Sequence, residues 1–342
     1  METILFLSPT ESDGALGRAA LEALAAARQL SQALGAPLAL AVFGGDAAQV
    51  PAAVAGAGAK LLAATGPELA TARYATDAAA AEALCRAAGA TIVVAPHTSR
   101  TARVLAGVAQ RLGGRVDTHA SAMAAEGGAP QVTRWFYKQR MEARLARPQR
   151  PWVVLLDGGC APAWRAEGAP PAVEPVAVAV GPAEQRTQVV GFAAPKGGGN
   201  TIRPDAKLLF VAGAGWTKKQ ADGKPHLEEA SELILGVLER TGASLGSSKS
   251  LVDQSGEGQQ VISFMSHLNQ VGQTGASPRH PKGLATCCHG EEPHVVGWRF
   301  IGERRAVNLD PACGWARGKA DVLYVADAFE VIRKVNALLG AK

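Results

Sequence analysis

Thiols, imidazoles and carboxylates crowd the run Cys287-Cys288-His289-Gly290-Glu291-Glu292-Pro293-His294, so metal ligation and Cys/His nucleophilic chemistry both have to be weighed there. Adjacent cysteines rarely point at one ion, and no second cluster matches this one beyond the lone Cys313. Burial at a strand end is the commoner use of a cysteine, and Cys287 and Cys288 read as packing residues. Gly213-Ala214-Gly215 is a tight turn that could bring backbone N–H groups to a phosphate or simply join a strand to a helix. Val271-Gly272-Gln273-Thr274-Gly275 combines two glycines, an amide and a hydroxyl, enough to meet a planar polar ligand or to make an ordinary turn. Arg134, Lys138, Arg140, Arg144, Arg147 and Arg150, with Trp135, Phe136 and Tyr137 among them, could suit single-stranded nucleic acid; a solvated or partner-facing surface is the reading adopted.

The elements that must position these residues alternate. Ile4–Leu7 reads as a buried strand, Leu16–Leu34 as a helix ended by Gly35, and Leu38–Phe43 as the next strand. The same grammar gives a helix over Ala52–Ala57, a strand over Leu61–Ala63, a helix over Thr76–Ala88, a strand over Thr91–Ala95 and a helix over Ser99–Leu112. Such alternation implies a parallel sheet covered on both faces. Gln131–Tyr137, Ala143–Ala146 and Trp152–Leu156 are expected to pair antiparallel or at an edge, and Val173–Val180 to close the first domain. A polar stretch from Pro182 to Asp205 is the expected boundary. A second α/β unit then carries strands at Leu208–Val211, Gly283–Cys287, Arg305–Asn308 and Val322–Val325, with helices at Leu227–Thr241 and Ala328–Leu339. The domains are expected at 1–185 and 206–342, joined by a linker over 186–205.

With 342 residues, 47% of them hydrophobic, the chain can bury a large core; disorder and a disulfide-stapled miniprotein are excluded. The net charge of +5 is small and its basic residues are dispersed, which gives no argument for nucleic acid. Five cysteines without CxxC spacing suit a reducing compartment, and no signal peptide or membrane-spanning run is visible. A cytoplasmic protein is expected.

Four segments occur in a familiar order: Leu245-Gly246-Ser247-Ser248-Lys249-Ser250-Leu251-Val252-Asp253, Val271-Gly272-Gln273-Thr274-Gly275, Ala306-Val307-Asn308-Leu309-Asp310-Pro311 and Val325-Ala326-Asp327-Ala328-Phe329. The chain resembles the alpha subunit of electron transfer flavoproteins over nearly its whole length, most specifically in its second half. The resemblance implies two Rossmann-like three-layer domains with mainly parallel sheets. The N-terminal one would pack on a separate beta subunit in a heterodimer, and the C-terminal one would bind FAD. It also implies a flavin-dependent dehydrogenase as electron donor, a quinone reductase or similar acceptor, and room for AMP in the beta subunit.

Carried over by position, Ser248 and Lys249 stand where the family has Ser-Arg beside the flavin ring. Val271, Gly272, Gln273 and Thr274 stand at the isoalloxazine edge, with Thr274 near N5. His294 stands at the pyrimidine end, Asn308 at the phosphate and ribose region, and Asp327 toward the adenosine. His289 and Gly290 fall in the stretch that holds the pyrophosphate. The sequence departs from the family at Gly213-Ala214-Gly215-Trp216, where an arginine is missing, at Lys249, where lysine replaces arginine, and at Glu291-Glu292-Pro293. No catalytic side chain and no metal ligand are assigned. The alternative reading is a docking or structural subunit of a larger dehydrogenase complex that holds no flavin.

Overall fold

The computed structural model describes residues 2–340 except 59, 138–140, 192–201, 204–205, 254–260, 273–276, 288–296 and 314–315. The chain divides into two compact units, Met1–Ala193 and Ala194–Lys342. The first contains β1 (Ile4–Pro9), α1 (Arg18–Leu34), β2 (Leu38–Gly44), α2 (Val50–Ala53), β3 (Lys60–Thr65), α3 (Pro67–Ala70), α4 (Tyr74–Ala87), β4 (Ile92–Pro96), α5 (Ser99–Arg111), β5 (Arg115–Glu126), β6 (Ala129–Phe136), β7 (Met141–Leu145), β8 (Trp152–Leu156), β9 (Ala172–Pro175) and α6 (Pro182–Gln185). Its nine strands form one sheet, ordered β7-β6-β5-β8-β4-β1-β2-β3-β9.

Buried strands of a parallel sheet face apolar layers on both sides, and β1 shows the alternation that results. Ile4 and Phe6 pack with Ala23, Leu24, Ala27 and Leu30 of α1, whereas Leu5 and Leu7 pack with Ala81 and Leu84 of α4 and Val104, Leu105 and Val108 of α5. Gly35 ends α1 in the left-handed region at φ +58°, a conformation that favours glycine. Thr98 caps α5 reciprocally with Thr101. Cys85 is a packing residue of this core; burial pushes its thiol up to about 12.

Three expectations fail in the first unit. Ala52–Ala57 is helical only over Val50–Ala53, and Val173–Val180 shrinks to the four residues of β9. Trp152–Leu156 is not an edge or antiparallel piece: β8 is fully buried and runs parallel between β4 and β5. Its partner β5 is a twelve-residue strand that carries no strong strand signal, because alanine and polar residues dominate Arg115–Glu126. Pairing decides it: β5 lies parallel to β8 on one side and antiparallel to β6 on the other, and β6 pairs antiparallel with β7.

The basic run is not simply a solvated face. Arg147 donates to both carboxylate oxygens of Asp117, Nε at 2.8 Å and Nη2 at 2.9 Å; Arg134 Nη1 donates to it at 3.2 Å and Trp152 Nε1 at 2.9 Å. The Asp117 side chain is 2% exposed, so one buried carboxylate ties β6, the segment after β7, and β8 to β5. Arg150 pairs with Glu2 at 2.5 Å. Arg144 fits the expectation, exposed and 3.8 Å from Glu126, while Lys138 and Arg140 lie outside the described residues.

The second unit contains β10 (Leu208–Ala212), α7 (Leu227–Thr241), β11 (Ser244–Ser247), α8 (Lys249–Asp253), β12 (His280–Cys287), β13 (Ile301–Asn308), β14 (Val322–Val325) and α9 (Ala328–Gly340). Its sheet, ordered β11-β10-β12-β13-β14, is parallel throughout. Both units are therefore Rossmann-like α/β folds. Helices α7 and α9 cover one face through Ile234, Val237, Phe329 and Ile332. The other face packs against shorter pieces among the described residues, including the 3₁₀ turn Trp298–Phe300 and the turns that hold Cys313 and Ala316.

Burial pushes the Asp117 carboxyl up, but hydrogen bonds from Arg147 and Trp152, with the charge of Arg147, hold it below the usual carboxylate range. Its stabilisation is thus complete above the unfolded value of about 3.9 and is lost as the pH falls through the lower folded value. Asp117→Asn should destabilise the first unit by about 3 kcal/mol at pH 7, and the gap from the native chain should narrow below about pH 4, as urea denaturation against pH would show.

Candidate functional site

In an open parallel sheet, ligands bind outside the carboxyl ends of the strands, at the point where successive connections leave in opposite directions. Numbered by chain order, the second sheet reads 2-1-3-4-5, so that point lies between β10 and β12. The register sets what lines the edge. Ala212 pairs with Ser247 of β11 and Thr286 of β12, Thr286 with Val307, Cys287 with Asn308, and Asn308 with Val325. With strands about 4.8 Å apart, the row from β11 to β14 spans about 19 Å, a shape suited to an elongated ligand.

Ser248 follows β11 directly, donating its N–H to Ala212 O at 2.9 Å while its Oγ accepts from Leu251 N at 3.3 Å, the first turn of α8. Val271 is joined to the same edge through its N–H on Ser247 O at 3.1 Å. Gly272 takes φ +83°, and a Cβ there would meet the Phe300 ring at 2.9 Å. Ser248, Val271 and Gly272 thus converge at one end of the row. Lys249 is exposed and ion-paired with Asp253 one helical turn on. At the other end, Asn308 is wholly buried and Asp327 accepts from Glu330 N at 3.1 Å, capping α9. Gln273, Thr274, His289, Gly290, Glu291, Glu292, Pro293 and His294 lie outside the described residues, as do Cys288 and the Cys287 side chain.

Gly213-Ala214-Gly215 is a tight turn whose main consequence is visible in the next residue. The 3₁₀ segment Ala214–Thr217 carries Trp216 into the core, 0% exposed, with its indole N–H donating to Thr286 Oγ1 at 2.8 Å and its ring 4.6 Å from that of Phe329. Gly213 N donates to Thr286 O at 2.6 Å. The β10–β12 junction is therefore held by Trp216 and Thr286 and not by an arginine.

Two buried polar atoms near this edge lack a hydrogen-bond partner among the described residues, and strand alternation puts Ser247 on the face of α7 and α9 and Asn308 on the opposite face. Asn308 donates through Nδ2 to Asp310 O at 2.9 Å, but its Oδ1 has no partner among the described residues, nor has Ser247 Oγ. Buried polar atoms are ordinarily satisfied, so both are suited to bond a polar group brought in from outside. Ser247 was missed because Ser244–Ser247 has almost no strand propensity. Its smallness is the signal: a Cβ at Gly246 would meet Val271 at 2.5 Å. Two further groups passed over, His97 and Asp157, stand immediately after the apolar runs of β4 and β8.

The model of the electron transfer flavoprotein domain matches residues 4–185. The chain belongs to the electron transfer flavoprotein family. No curated protein matches it. The matched residues include the mainly parallel sheet of the first unit, and no helix among the described residues is long and apolar enough to cross a membrane.

Removing a buried hydroxyl that has no partner relieves a desolvation penalty. Ser247→Ala should leave this flavoprotein-family chain, without ligand, at least as stable as the native one, and more stable by up to about 1 kcal/mol in urea denaturation. A loss of more than about 1 kcal/mol would mean that Ser247 Oγ is already bonded within the fold.

Proposed function

We propose that the chain is the alpha-type subunit of an electron transfer flavoprotein. It would bind FAD at the carboxyl edge of its second sheet, pair with a beta subunit, and pass electrons from a flavin-dependent dehydrogenase to an acceptor such as a quinone reductase. The observation that carries this reading is the row of parallel strand ends with two buried polar atoms, Asn308 Oδ1 and Ser247 Oγ, left for a ligand. The residues fit the cofactor in kind: hydroxyls, amides and backbone N–H groups in a shallow elongated row. Ser248, Lys249, Val271, Gly272, Gln273 and Thr274 would hold the flavin end. His294 would stand at the pyrimidine end of the flavin, Asn308, His289 and Gly290 would hold the middle, and Asp327 would lie at the adenosine end. FAD when bound supplies the redox chemistry, accepting and releasing electrons.

What the chain itself supplies is placement and charge. Lys249 would favour the more negative, reduced flavin, as a cation near developing negative charge does, and Asp253 at its side offsets that effect. The two residues should therefore act in opposite directions on the flavin potential.

A second reading is a subunit that docks in a dehydrogenase complex without flavin. It is favoured by Trp216, which fills the junction where the family's turn holds an arginine, and by the engagement of Lys249 with Asp253.

Co-expression with a beta-type partner separates the two readings. A stoichiometric flavin absorption that bleaches with dithionite supports the carrier, whereas a stable colourless heterodimer indifferent to added FAD supports docking. In the carrier, Lys249→Ala should lower the flavin potential and Asp253→Asn should raise it, measured by equilibrium dye titration; an unchanged potential in both variants rejects the charge role.

A further inference from the structure

The carboxyl edge of the first sheet collects a different set of side chains. His97 follows β4, Asp157 follows β8, and His119 sits in the middle of β5, so three neighbouring strands contribute one group each. Backbone bonds fix the frame: His97 N donates to Leu156 O at 2.7 Å and Asp157 N to Ala120 O at 2.9 Å. His97 Nδ1 and His119 Nδ1 both donate to the same oxygen, Asp157 Oδ1, at 2.7 and 3.2 Å, and the two rings meet edge to face at 4.1 Å between centroids.

His119 reaches this point through a break in the register. Asp117 pairs with Val154 and Ala120 with Leu156, so β5 advances three residues where β8 advances two. The extra residue is a bulge, and such bulges re-aim a side chain. Within it His119 takes φ +55°, a left-handed conformation that disfavours a residue with a Cβ by about 1–2 kcal/mol. The backbone is thus held in an unfavourable state that brings an imidazole to Asp157.

We propose that His97, His119 and Asp157 form a binding site for a divalent transition-metal ion of the zinc(II) class. One ligand atom from each residue lies within 4.8 Å of the other two. Tetrahedral zinc with bonds of 2.0–2.1 Å needs its ligand atoms about 3.3 Å apart. The His119–Asp157 separation already matches this, and the His97–Asp157 separation has to open by about 0.6 Å. Two imidazoles and one carboxylate are borderline donors that suit zinc, cobalt or nickel better than calcium or magnesium, which prefer oxygen throughout. On binding, each imidazole proton moves to Nε2 and frees Nδ1 as the ligand.

Burial pushes the Asp157 carboxyl up, and hydrogen bonds from His119 and His97 more than offset this, holding it below the usual carboxylate range and ionised at neutral pH. His97 and Asp157 are mostly covered, at 15% and 27% exposed, while His119 is 54% exposed; the ion has an entry path and would keep coordination positions open to water. Three protein ligands with open positions distinguish such a site from closed four-ligand structural zinc.

The test uses the full-length chain without a polyhistidine tag, stripped with a chelator, dialysed, and titrated with zinc(II) by calorimetry and with cobalt(II) by visible absorption. One ion per chain and ligand-field bands of a low-symmetry cobalt site are expected. His119→Asn removes the ligand while asparagine still tolerates the left-handed backbone, and should weaken binding at least about tenfold. His226→Asn, which breaks the His226–Asp222 pair of the second unit, should leave it unchanged. Matched urea midpoints for the two variants would exclude unfolding as the cause. Zinc affinity unaffected by His119→Asn, or no stoichiometric uptake by the native chain, would overturn the proposal.

Discussion

Backbone hydrogen bonds between parallel strands hold the carboxyl ends of several strands at one edge in each unit, and both proposed sites depend on that alignment. Side chains widely separated in sequence meet there without any need for a long loop to fold back. In the first unit it assembles His97, His119 and Asp157; in the second it ranges Ser247, Ala212 and Thr286 along one transverse line, with Asn308 one residue beyond that line on β13. The edges differ in kind. The first gathers titratable donors around a point, whereas the second spreads its polar groups across several strand ends.

The departure from a purely parallel first sheet rests on Asp117. A charge so fully removed from water has to be met by strong donors, and Arg134, Arg147 and Trp152 come from or follow three different strands to do so. Two members of a run that looks like a solvent-facing basic patch, Arg134 and Arg147, are therefore engaged on a buried acid while staying partly exposed. The misreading has a physical source, because sequence shows charges but not the buried acid that recruits them.

The alternating apolar runs were legible because strands buried on both faces and helices with one apolar stripe leave strong periodic signals, as in Ile4–Leu7, Trp152–Leu156 and Leu227–Thr241. Elements defined by pairing and not by composition were not. Arg115–Glu126 is a strand because β6 and β8 flank it, and Ser244–Ser247 because it pairs with β10, with Gly246 leaving room for Val271. The same division applies to the sites. Ser248, Val271 and Asn308 are proposed from resemblance to a family, while the roles proposed for Ser247 and His119 rest on burial and on a register break that no residue type announces. The turn Gly213-Ala214-Gly215-Trp216 reads in sequence as one that lacks an arginine, and in the fold its Trp216 is a core side chain bonded to Thr286.

Among the described residues the two faces of the second sheet are clad unequally, one by the long helices α7 and α9, the other by short turns around Trp298, Phe300, Cys313 and Ala316. Short turns have fewer cooperative backbone hydrogen bonds to break than long helices, so these turns are expected to open locally before α7 and α9 do. Amide protons in those turns should accordingly exchange with solvent through sub-global excursions, ahead of those in α7 and β10. The second unit would then behave as a firm helical half with a looser covering, giving it room to adjust that face without unfolding.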